Sequence, residues 1–302
     1  MEKKVIVIGA GPAGVSAALY LRRAGIPVQV VYKDSGALAK AEKIENYYGF
    51  PGGIAGKELF ARGIEGAQKI GVDFLQGEVM QLGFGTNFDG YTVEGQDAEG
   101  KDFSLETPSL VLAAGGERKT LTVPGVKEFE GKGVSYCAIC DAFFYRGKDV
   151  AVVGAGEYAL HEAEALLPHA AAVHVLTDGA EPLADFPPEL LLNKEKIAAL
   201  EGEAGRLSHV RFADGSLLPI SGVFLALGTA GSTALAKKMG ILLENNHIKT
   251  DDNQATNVPG VFAAGDATGG LLQVAKAVYE GAKAGLGAVQ YLREKFPANG
   301  AF

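Results

Sequence analysis

The two cysteines of the chain stand three positions apart in the segment Cys137-Ala138-Ile139-Cys140, and an acidic residue, Asp141, follows directly. One turn of backbone can bring two thiols at this spacing within reach of each other. A thiolate of such a pair can attack a substrate disulfide and form a mixed disulfide. The segment therefore predicts a redox-active dithiol that takes part in disulfide exchange.

Two other uses of a CxxC segment were weighed: half of a zinc site, and a purely structural disulfide. A zinc site needs four ligands, and the sequence contains no second cysteine pair. The downstream histidines His161, His169 and His174 do not have the spacing of a zinc finger. So few cysteines also argue against a secreted disulfide framework. Redox chemistry is favoured, and we expect no metal.

The composition is that of an ordinary globular chain: 302 residues, 47% of them hydrophobic and 21% charged, which excludes disordered and fibrous classes. The net charge is −8, and the sequence has no long basic run, so neither nucleic acid nor an anionic membrane is expected as a partner. Only four apolar residues precede Gly9, and no apolar run reaches membrane-spanning length. We expect a cytoplasmic protein.

A glycine turn near the start of the chain predicts nucleotide binding. A short apolar strand from Lys3 to Ile8 leads into Gly9-Ala10-Gly11-Pro12-Ala13-Gly14, which is followed by a helix to Ala24 and a strand from Val28 to Tyr32. In such a βαβ unit the glycines allow a tight turn and close approach of the backbone to a pyrophosphate. The acid that usually ends the second strand is missing, because Tyr32 stands in its place.

A second segment near the other end of the chain suggests that the nucleotide is a flavin. The residues from Thr256 to Ala264 form a short apolar strand that ends in Gly265-Asp266, and a helical pattern follows from about Gln273 to Leu292. A carboxylate at such a strand end can accept hydrogen bonds from a ribityl or ribose chain.

Together these segments resemble the low-molecular-weight thioredoxin reductases, FAD flavoproteins that carry a CxxC pair. The likeness runs over nearly the whole chain. It includes Glu45 to Pro51, Ala113-Ala114-Gly115, and Val134-Ser135-Tyr136 before the first cysteine.

The resemblance implies a mechanism and a set of site residues. It makes Cys140 the flavin-side sulfur, Cys137 the sulfur that exchanges with thioredoxin or a similar protein, and Asp141 the source of a proton. It also implies a homodimer and a rotation of one domain against the other. The implied FAD-binding residues are Gly9, Gly11, Pro12, Ala13, Gly14, Asn46, Val79, Ala113, Gly115, Gly265, Asp266, Gln273 and Val274.

The predicted fold class is α/β, with two Rossmann-like, three-layer ββα dinucleotide-binding domains, the second inserted in the first. A second βαβ unit supports this prediction: a strand from Lys148 to Val153, the turn Gly154-Ala155-Gly156, a helix to about Leu167 and a strand from Val173 to Leu176. We expect a discontinuous FAD-binding domain over 1–116 and 246–302, and an insert over 117–245 that carries the CxxC pair.

The insert departs from the family pattern where NADPH would bind. Members that use NADPH carry a His-Arg-Arg run at the end of the second strand, whereas this chain has Thr177-Asp178-Gly179-Ala180-Glu181. Two acids in place of cations disfavour a 2′-phosphate. Glu157 and bulky Tyr158 alter the glycine turn, and Leu272 replaces the family's arginine before Gln273. The insert is therefore predicted to be degenerate for nucleotide binding.

Several interpretations of the electron donor remain open at this point. The leading one resembles the ferredoxin-linked flavin thioredoxin reductases, which use no pyridine nucleotide. A second is an NADH enzyme in which Asp178 binds the ribose. A third resembles dithiol oxidases, which pass electrons from a dithiol to oxygen. A redox sensor without turnover is the non-enzymatic alternative.

An acidic ferredoxin would need a basic patch on a chain of this charge. The candidates are Lys33, Lys40 and Lys43, or Arg118 and Lys119. The last residue, Phe302, is a further candidate that could stack on the flavin.

Overall fold

The computed structural model describes residues 4–85, 89–116, 121–136, 138–227 and 231–296, with the backbone alone for Lys40, Ile139 and Cys140. The chain forms two compact units. The first contains residues 1–117 and 231–302, and the second contains residues 118–230.

The elements of the first unit up to the insert are β1 (Val5–Ile8), α1 (Pro12–Arg23), β2 (Val28–Tyr32), α2 (Gly56–Gln68), β3 (Asp73–Phe84), β4 (Tyr91–Asp97), β5 (Asp102–Thr107) and β6 (Leu110–Leu112). The second unit contains β7 (Val134–Ser135), α3 (Ala138–Asp141), β8 (Asp149–Val153), α4 (Glu157–Leu166), β9 (Ala172–Leu176), β10 (Leu191–Asn193), β11 (Ile197–Glu203), β12 (Arg206–Phe212), β13 (Leu217–Pro219) and β14 (Gly222–Leu225). The first unit is completed by α5 (Ser232–Lys238), β15 (Leu243–Glu244), β16 (His247–Ile248), β17 (Val261–Ala263) and α6 (Val274–Lys295).

The sheet of the first unit has the strand order β17-β6-β1-β2-β3-β4-β5. The strands from β17 to β3 run parallel, and β3, β4 and β5 pair antiparallel. Strands β1 and β6 are buried along their whole length, as expected for parallel strands covered on both faces. Strand β6 therefore lies between β1, which is near the start of the chain, and β17, which is near its end.

Helices α1 and α6 pack closely against each other, although they lie more than 250 residues apart in sequence. The Ser16 hydroxyl donates a hydrogen bond to the Val278 carbonyl oxygen at 2.7 Å. A Cβ atom at Gly281 would lie 2.1 Å from the Ala13 carbonyl oxygen, so only glycine permits this approach. The start of α1 is therefore held against the first half of α6.

The second unit is built on a parallel five-stranded sheet of order β10-β9-β8-β14-β7. A separate antiparallel sheet, β11-β12-β13, adds its apolar face to the core of this unit through Ile197, Leu200, Val210 and Phe212. Each unit thus repeats the strand–helix–strand arrangement that the two glycine turns predict.

The predicted fold class is confirmed: the chain has two Rossmann-like α/β units, and the second is inserted in the first. The predicted bounds of the elements around the glycine turns agree with the structure within one residue, except that β1 begins at Val5, two residues after the predicted start, and α6 extends three residues beyond Leu292. The return to the first unit comes at 231, fifteen residues before the sequence-based boundary, because α5 and the β15–β16 hairpin pack in the first unit. No helix among the described residues is both long and apolar enough to span a membrane.

Candidate active site

The turn between β1 and α1 brings the backbone close to any group placed at the start of the helix. Gly9 has a φ of +108°, and a Cβ atom there would lie 2.3 Å from the Ala113 carbonyl oxygen. A Cβ atom at Gly14 would lie 1.8 Å from the Gly9 carbonyl oxygen, whereas one at Gly11 would meet nothing within 4 Å. Protein atoms therefore fill the space next to Gly9 and Gly14, whereas the space next to Gly11 is unfilled. Pro12 is the first helical residue, and no side chain caps the helix N-terminus. This arrangement fits a pyrophosphate.

The segment after β17 lies against this turn. Gly265 has a φ of +80°, and a Cβ atom there would lie 2.9 Å from the Cβ of Ala13. Asp266 follows in a 3-10 turn and is partly exposed. The structure thus brings together the predicted site residues 9–14 and 265–266 from the two ends of the chain.

Two further predicted site residues meet through their side chains. The Asn46 amide donates to the Gln273 side-chain oxygen, with 2.8 Å between Nδ2 and Oε1. Val274 begins α6 and packs on an apolar cluster formed by Leu38, Ile44 and Ile54. The loop before α2 is thereby tied to the start of α6.

Three further residues predicted to bind the cofactor lie in β3 or directly after β6. Val79 is buried in β3, next to a bulge between β3 and β4. Ala113 follows β6 and is buried, and Gly115 has a φ of +80°. Of these, Ala113 lies directly beside Gly9 of the first glycine turn.

Glu78 is a site residue that the sequence analysis missed. It lies on β3, is 8% exposed, and forms an ion pair with Lys33 just after β2. Its second oxygen, Oε1, is buried and has no hydrogen-bond donor among the described residues. The usual acid is absent from the end of β2, and an acid on the adjacent strand fits the hydroxyls of a nucleotide ribose. The alternation of apolar residues along β3 does not single out Glu78 in the sequence.

The predicted redox pair lies in the second unit, between β7 and β8. Cys137 is outside the described residues, and Cys140 lies in α3. Asp141 ends α3, and its Oδ2 accepts a hydrogen bond from the Ser135 hydroxyl at 2.7 Å. Burial, and after it the negative charge of Asp141, raise the pKa of Tyr145 in the following 3-10 turn. Asp141 is thus held next to the CxxC segment and is a candidate proton carrier.

Glu162 is a second residue that the sequence analysis missed. It lies on α4, is 1% exposed, and its Oε2 accepts a hydrogen bond from the backbone N–H of Ala138 at 2.7 Å. Helical spacing places it on the same face as Tyr158, Ala159, Ala163 and Leu166, which are all buried. An acid on an otherwise apolar helical face is a signal that could have identified it.

The glycine turn of the second unit is covered by the chain itself. The segment that follows β9 passes over the turn, and the backbone N–H of Leu183 donates to the Ala155 carbonyl oxygen at 2.6 Å. Tyr158, the second residue of α4, is 2% exposed, so its ring fills space beside the turn. The Asp178 carboxylate accepts a hydrogen bond from the Ile197 backbone N–H at 2.8 Å.

The proposed basic patches and the C-terminal aromatic residue are only partly described. Lys33 pairs with Glu78, and Lys43 pairs with Glu45. Arg118, Lys119 and Phe302 lie outside the described residues, as does the side chain of Lys40. In the described part of the chain, no cluster of three or more His, Cys, Asp or Glu could hold a metal ion.

Comparison with known proteins agrees with this geometry. A family model, pyridine nucleotide-disulphide oxidoreductase, matches residues 3–281. The thioredoxin reductase of Aquifex aeolicus is 34% identical over 311 residues, which cover 96% of this chain and 94% of that protein.

Two solved structures resemble the chain over nearly its full length. The atypical thioredoxin reductase TRi from Desulfovibrio vulgaris Hildenborough superposes with a TM-score of 0.89 at 38% identity, covering 98% of this chain and 99% of that one. A ferredoxin-flavin thioredoxin reductase from Clostridium acetobutylicum gives a TM-score of 0.75 at 29% identity, and the match covers 96% of this chain and 98% of that one. Members of this group are FAD flavoproteins, and the first glycine turn fits that cofactor. The chain belongs to the pyridine nucleotide-disulphide oxidoreductase family, as a thioredoxin reductase-like flavoenzyme.

Proposed function

We propose that this protein passes electrons from FAD through the Cys137–Cys140 pair to the disulfide of thioredoxin or a similar protein, and that it takes them from ferredoxin rather than from a pyridine nucleotide. The first unit holds FAD at the turns 9–14 and 265–266. The second unit carries the dithiol and binds no nucleotide.

The covered glycine turn of the second unit is the observation that carries this proposal. A dinucleotide needs free backbone N–H groups and open space above such a turn. Here the Leu183 N–H is bonded to the Ala155 carbonyl oxygen, which holds the segment after β9 against the turn. Glu157, at the first position of α4, adds a carboxylate where a pyrophosphate would bring negative charge.

The alternative NADH enzyme depends on Asp178 as a ribose ligand. That carboxylate instead holds the start of β11 through the Ile197 N–H, and its Oδ2 lies 4.0 Å from Lys196 Nζ. Asp178 also has a φ of +52°, in the left-handed region where Asp is tolerated but unusual. These contacts give the residue a structural role and favour a donor that does not bind in this unit.

The chemistry of the dithiol follows from thiol exchange. In the proposed cycle the Cys137 thiolate attacks the thioredoxin disulfide, forms a mixed disulfide and expels one thioredoxin thiolate. The Cys140 thiolate then attacks the Cys137 sulfur, which restores the internal disulfide and releases the second thiolate. Two protons are taken up by the product, and Asp141, held by Ser135, is placed to relay one. When bound, FAD supplies the two electrons that reduce the internal disulfide again.

Exposed aromatic side chains next to the CxxC segment support a protein as the substrate. Phe143 and Phe144 follow Asp141 in a 3-10 turn, and each is 68% exposed. The Arg146 guanidinium lies 5.4 Å from the centre of the Phe143 ring. Aromatic and arginine side chains of this kind contribute strongly to protein interfaces.

Anaerobic reduction of the purified flavoprotein tests the proposal. Reduced ferredoxin, NADH and NADPH are added separately, and the visible flavin band is followed. We expect ferredoxin alone to bleach the band and oxidised thioredoxin to restore it. Bleaching by NADH within seconds would overturn the choice of donor. Bleaching by a dithiol, with recovery in oxygen but not with thioredoxin, would show that electrons flow in the opposite direction.

A further inference from the structure

A lysine and a glutamate near the start of α6 close the turn that carries Asp266. Lys276 Nζ donates to the carbonyl oxygens of Gly265, at 2.8 Å, and Gly269. Glu280 Oε2 accepts from the Gly265 N–H at 2.9 Å and from the Thr268 hydroxyl at 2.8 Å. The two side chains also bond each other, with 2.9 Å between Nζ and Oε2.

Both charges are largely buried. The side chain of Lys276 is 15% exposed and that of Glu280 is 13% exposed. Charges at this depth are screened weakly by solvent, and removal of one leaves the other uncompensated. The pair therefore adds no net charge beside Asp266, while its hydrogen bonds fix the backbone on both sides of that residue.

The position of the turn connects this balance of charge to the flavin site. Gly265 packs on Ala13 in the first glycine turn, so the pair stands at the meeting point of the two segments assigned to FAD. A reduced flavin carries more negative charge than an oxidised one, and nearby protein charge alters its potential. An excess of positive charge here stabilises the reduced flavin, and an excess of negative charge stabilises the oxidised flavin.

We infer that Lys276 and Glu280 are a positioning pair that holds the Asp266 turn in shape and sets the flavin midpoint potential by balancing each other's charge. The inference rests on the proposed flavin site. It assigns roles to two residues that the sequence motifs do not include.

The test is the two-electron midpoint potential of the bound flavin, measured with chemical reductant and reference dyes in Lys276→Gln, Glu280→Gln and the double variant. Glu280→Gln leaves an uncompensated cation, so we expect a less negative potential. Lys276→Gln leaves an uncompensated carboxylate, so we expect a more negative one. Each single change is expected to alter the equilibrium between reduced and oxidised flavin about tenfold, which is about 30 mV for a two-electron couple. The double variant is expected to return close to the wild-type value.

Exposed residues on the same helix supply matched controls. Arg293→Gln and Glu294→Gln change the net charge equally, and both positions are exposed near the end of α6, so their potentials should stay at the wild-type value. Shifts of the same sign in both single variants, or no recovery in the double variant, would overturn charge balancing. If Lys276→Gln does not retain FAD, the midpoint potentials of Glu280→Gln and of the double variant are compared. Charge balancing then requires a less negative potential in Glu280→Gln and a value close to wild type in the double variant. These measurements need neither ferredoxin nor thioredoxin, so their failure is distinct from failure of the proposed reductase activity.

Discussion

The two glycine turns of this chain share their first two glycines, at Gly9 and Gly11 and at Gly154 and Gly156, and differ in the segments that lie beside them. A Cβ atom at Gly11 or at Gly156 would meet no atom within 4 Å, and the first turn is bordered by Gly265, the residue before Asp266. The second is covered by the segment after β9, and its neighbouring acids are used within the fold. The comparison shows that the same turn of a Rossmann unit can be left clear of later segments or be tied to one, depending on the residues that follow the second strand.

Adding a methyl group to one glycine in each turn tests this difference most directly. In Gly11→Ala, at the position equivalent to Gly156, the new Cβ meets no protein atom within 4 Å and enters the space proposed for the pyrophosphate, so we expect loss of most bound FAD with little change in the free energy of unfolding. In Gly156→Ala the Cβ meets nothing within 4 Å, so FAD content and thioredoxin reduction should be unchanged. In both variants the flavin-to-protein absorbance ratio measures bound FAD, and a denaturation curve measures the free energy of unfolding. A severe loss of activity in Gly156→Ala would mean that the second turn still contacts a ligand.

The second unit must still align the dithiol, and Glu162 is the residue we expect to matter most for this. In Glu162→Gln the bond to the Ala138 N–H loses its charge, so we expect thioredoxin turnover to fall on the order of 10-fold to 100-fold through misplacement of the CxxC segment. The flavin spectrum should not change. Glu164→Gln, an exposed position on the same helix, is the control. Equal turnover in the two variants would show that the buried carboxylate plays no part in exchange.

A smaller effect is expected from releasing the segment that covers the second turn. Leu183→Pro removes the N–H bonded to Ala155, which should cost about 1 kcal/mol of unfolding free energy. Leu183→Ala keeps this N–H, and the side chain is 80% exposed, so it should behave as wild type. Urea unfolding compares the two variants. NADH should still fail to reduce the flavin in Leu183→Pro, because Glu157 and Tyr158 remain. A gained reaction with NADH would show that the cover alone prevents binding.

The smallest expected effect concerns acid sensitivity of the second unit. Hydrogen bonds from Arg211, and then from His209, lower the pKa of Glu201 from 4.5 to about 2. A carboxyl whose pKa is lowered in the folded state contributes stability above pH 4.5, and this contribution is lost as the pH falls towards 2. Glu201→Gln should therefore flatten the dependence of the melting temperature on pH between 4.5 and 2. An identical slope in wild type and variant would contradict this.

Local sequence patterns predicted much of the fold. The apolar strand, glycine turn and helix of each βαβ unit lie within two residues of their expected bounds, because hydrophobic period and glycine placement are local properties. The return to the first unit at 231 was not predicted, since the packing of α5 depends on strands that lie far away in sequence.

The candidate site was predicted in part. Motif residues such as Gly9, Asn46 and Asp266 were named from the resemblance, and the structure brings segments 9–14 and 265–266 together. Glu78, Glu162 and the Lys276–Glu280 pair were missed. Glu78 and Glu162 contact residues 45 and 24 positions away, and Lys276 and Glu280 contact a turn outside their own helix, so no short motif records these residues.

The sequence by itself determined the class of chemistry, because a CxxC pair, two glycine turns and a Gly-Asp strand end are patterns of residue type and spacing. It also indicated, through the missing arginines, that NADPH does not suit the second unit. Only the tertiary structure decided which turn is tied to a later segment of the chain. A hydrogen bond such as that from Leu183 to Ala155 joins residues 28 positions apart, and its formation depends on how the whole unit packs.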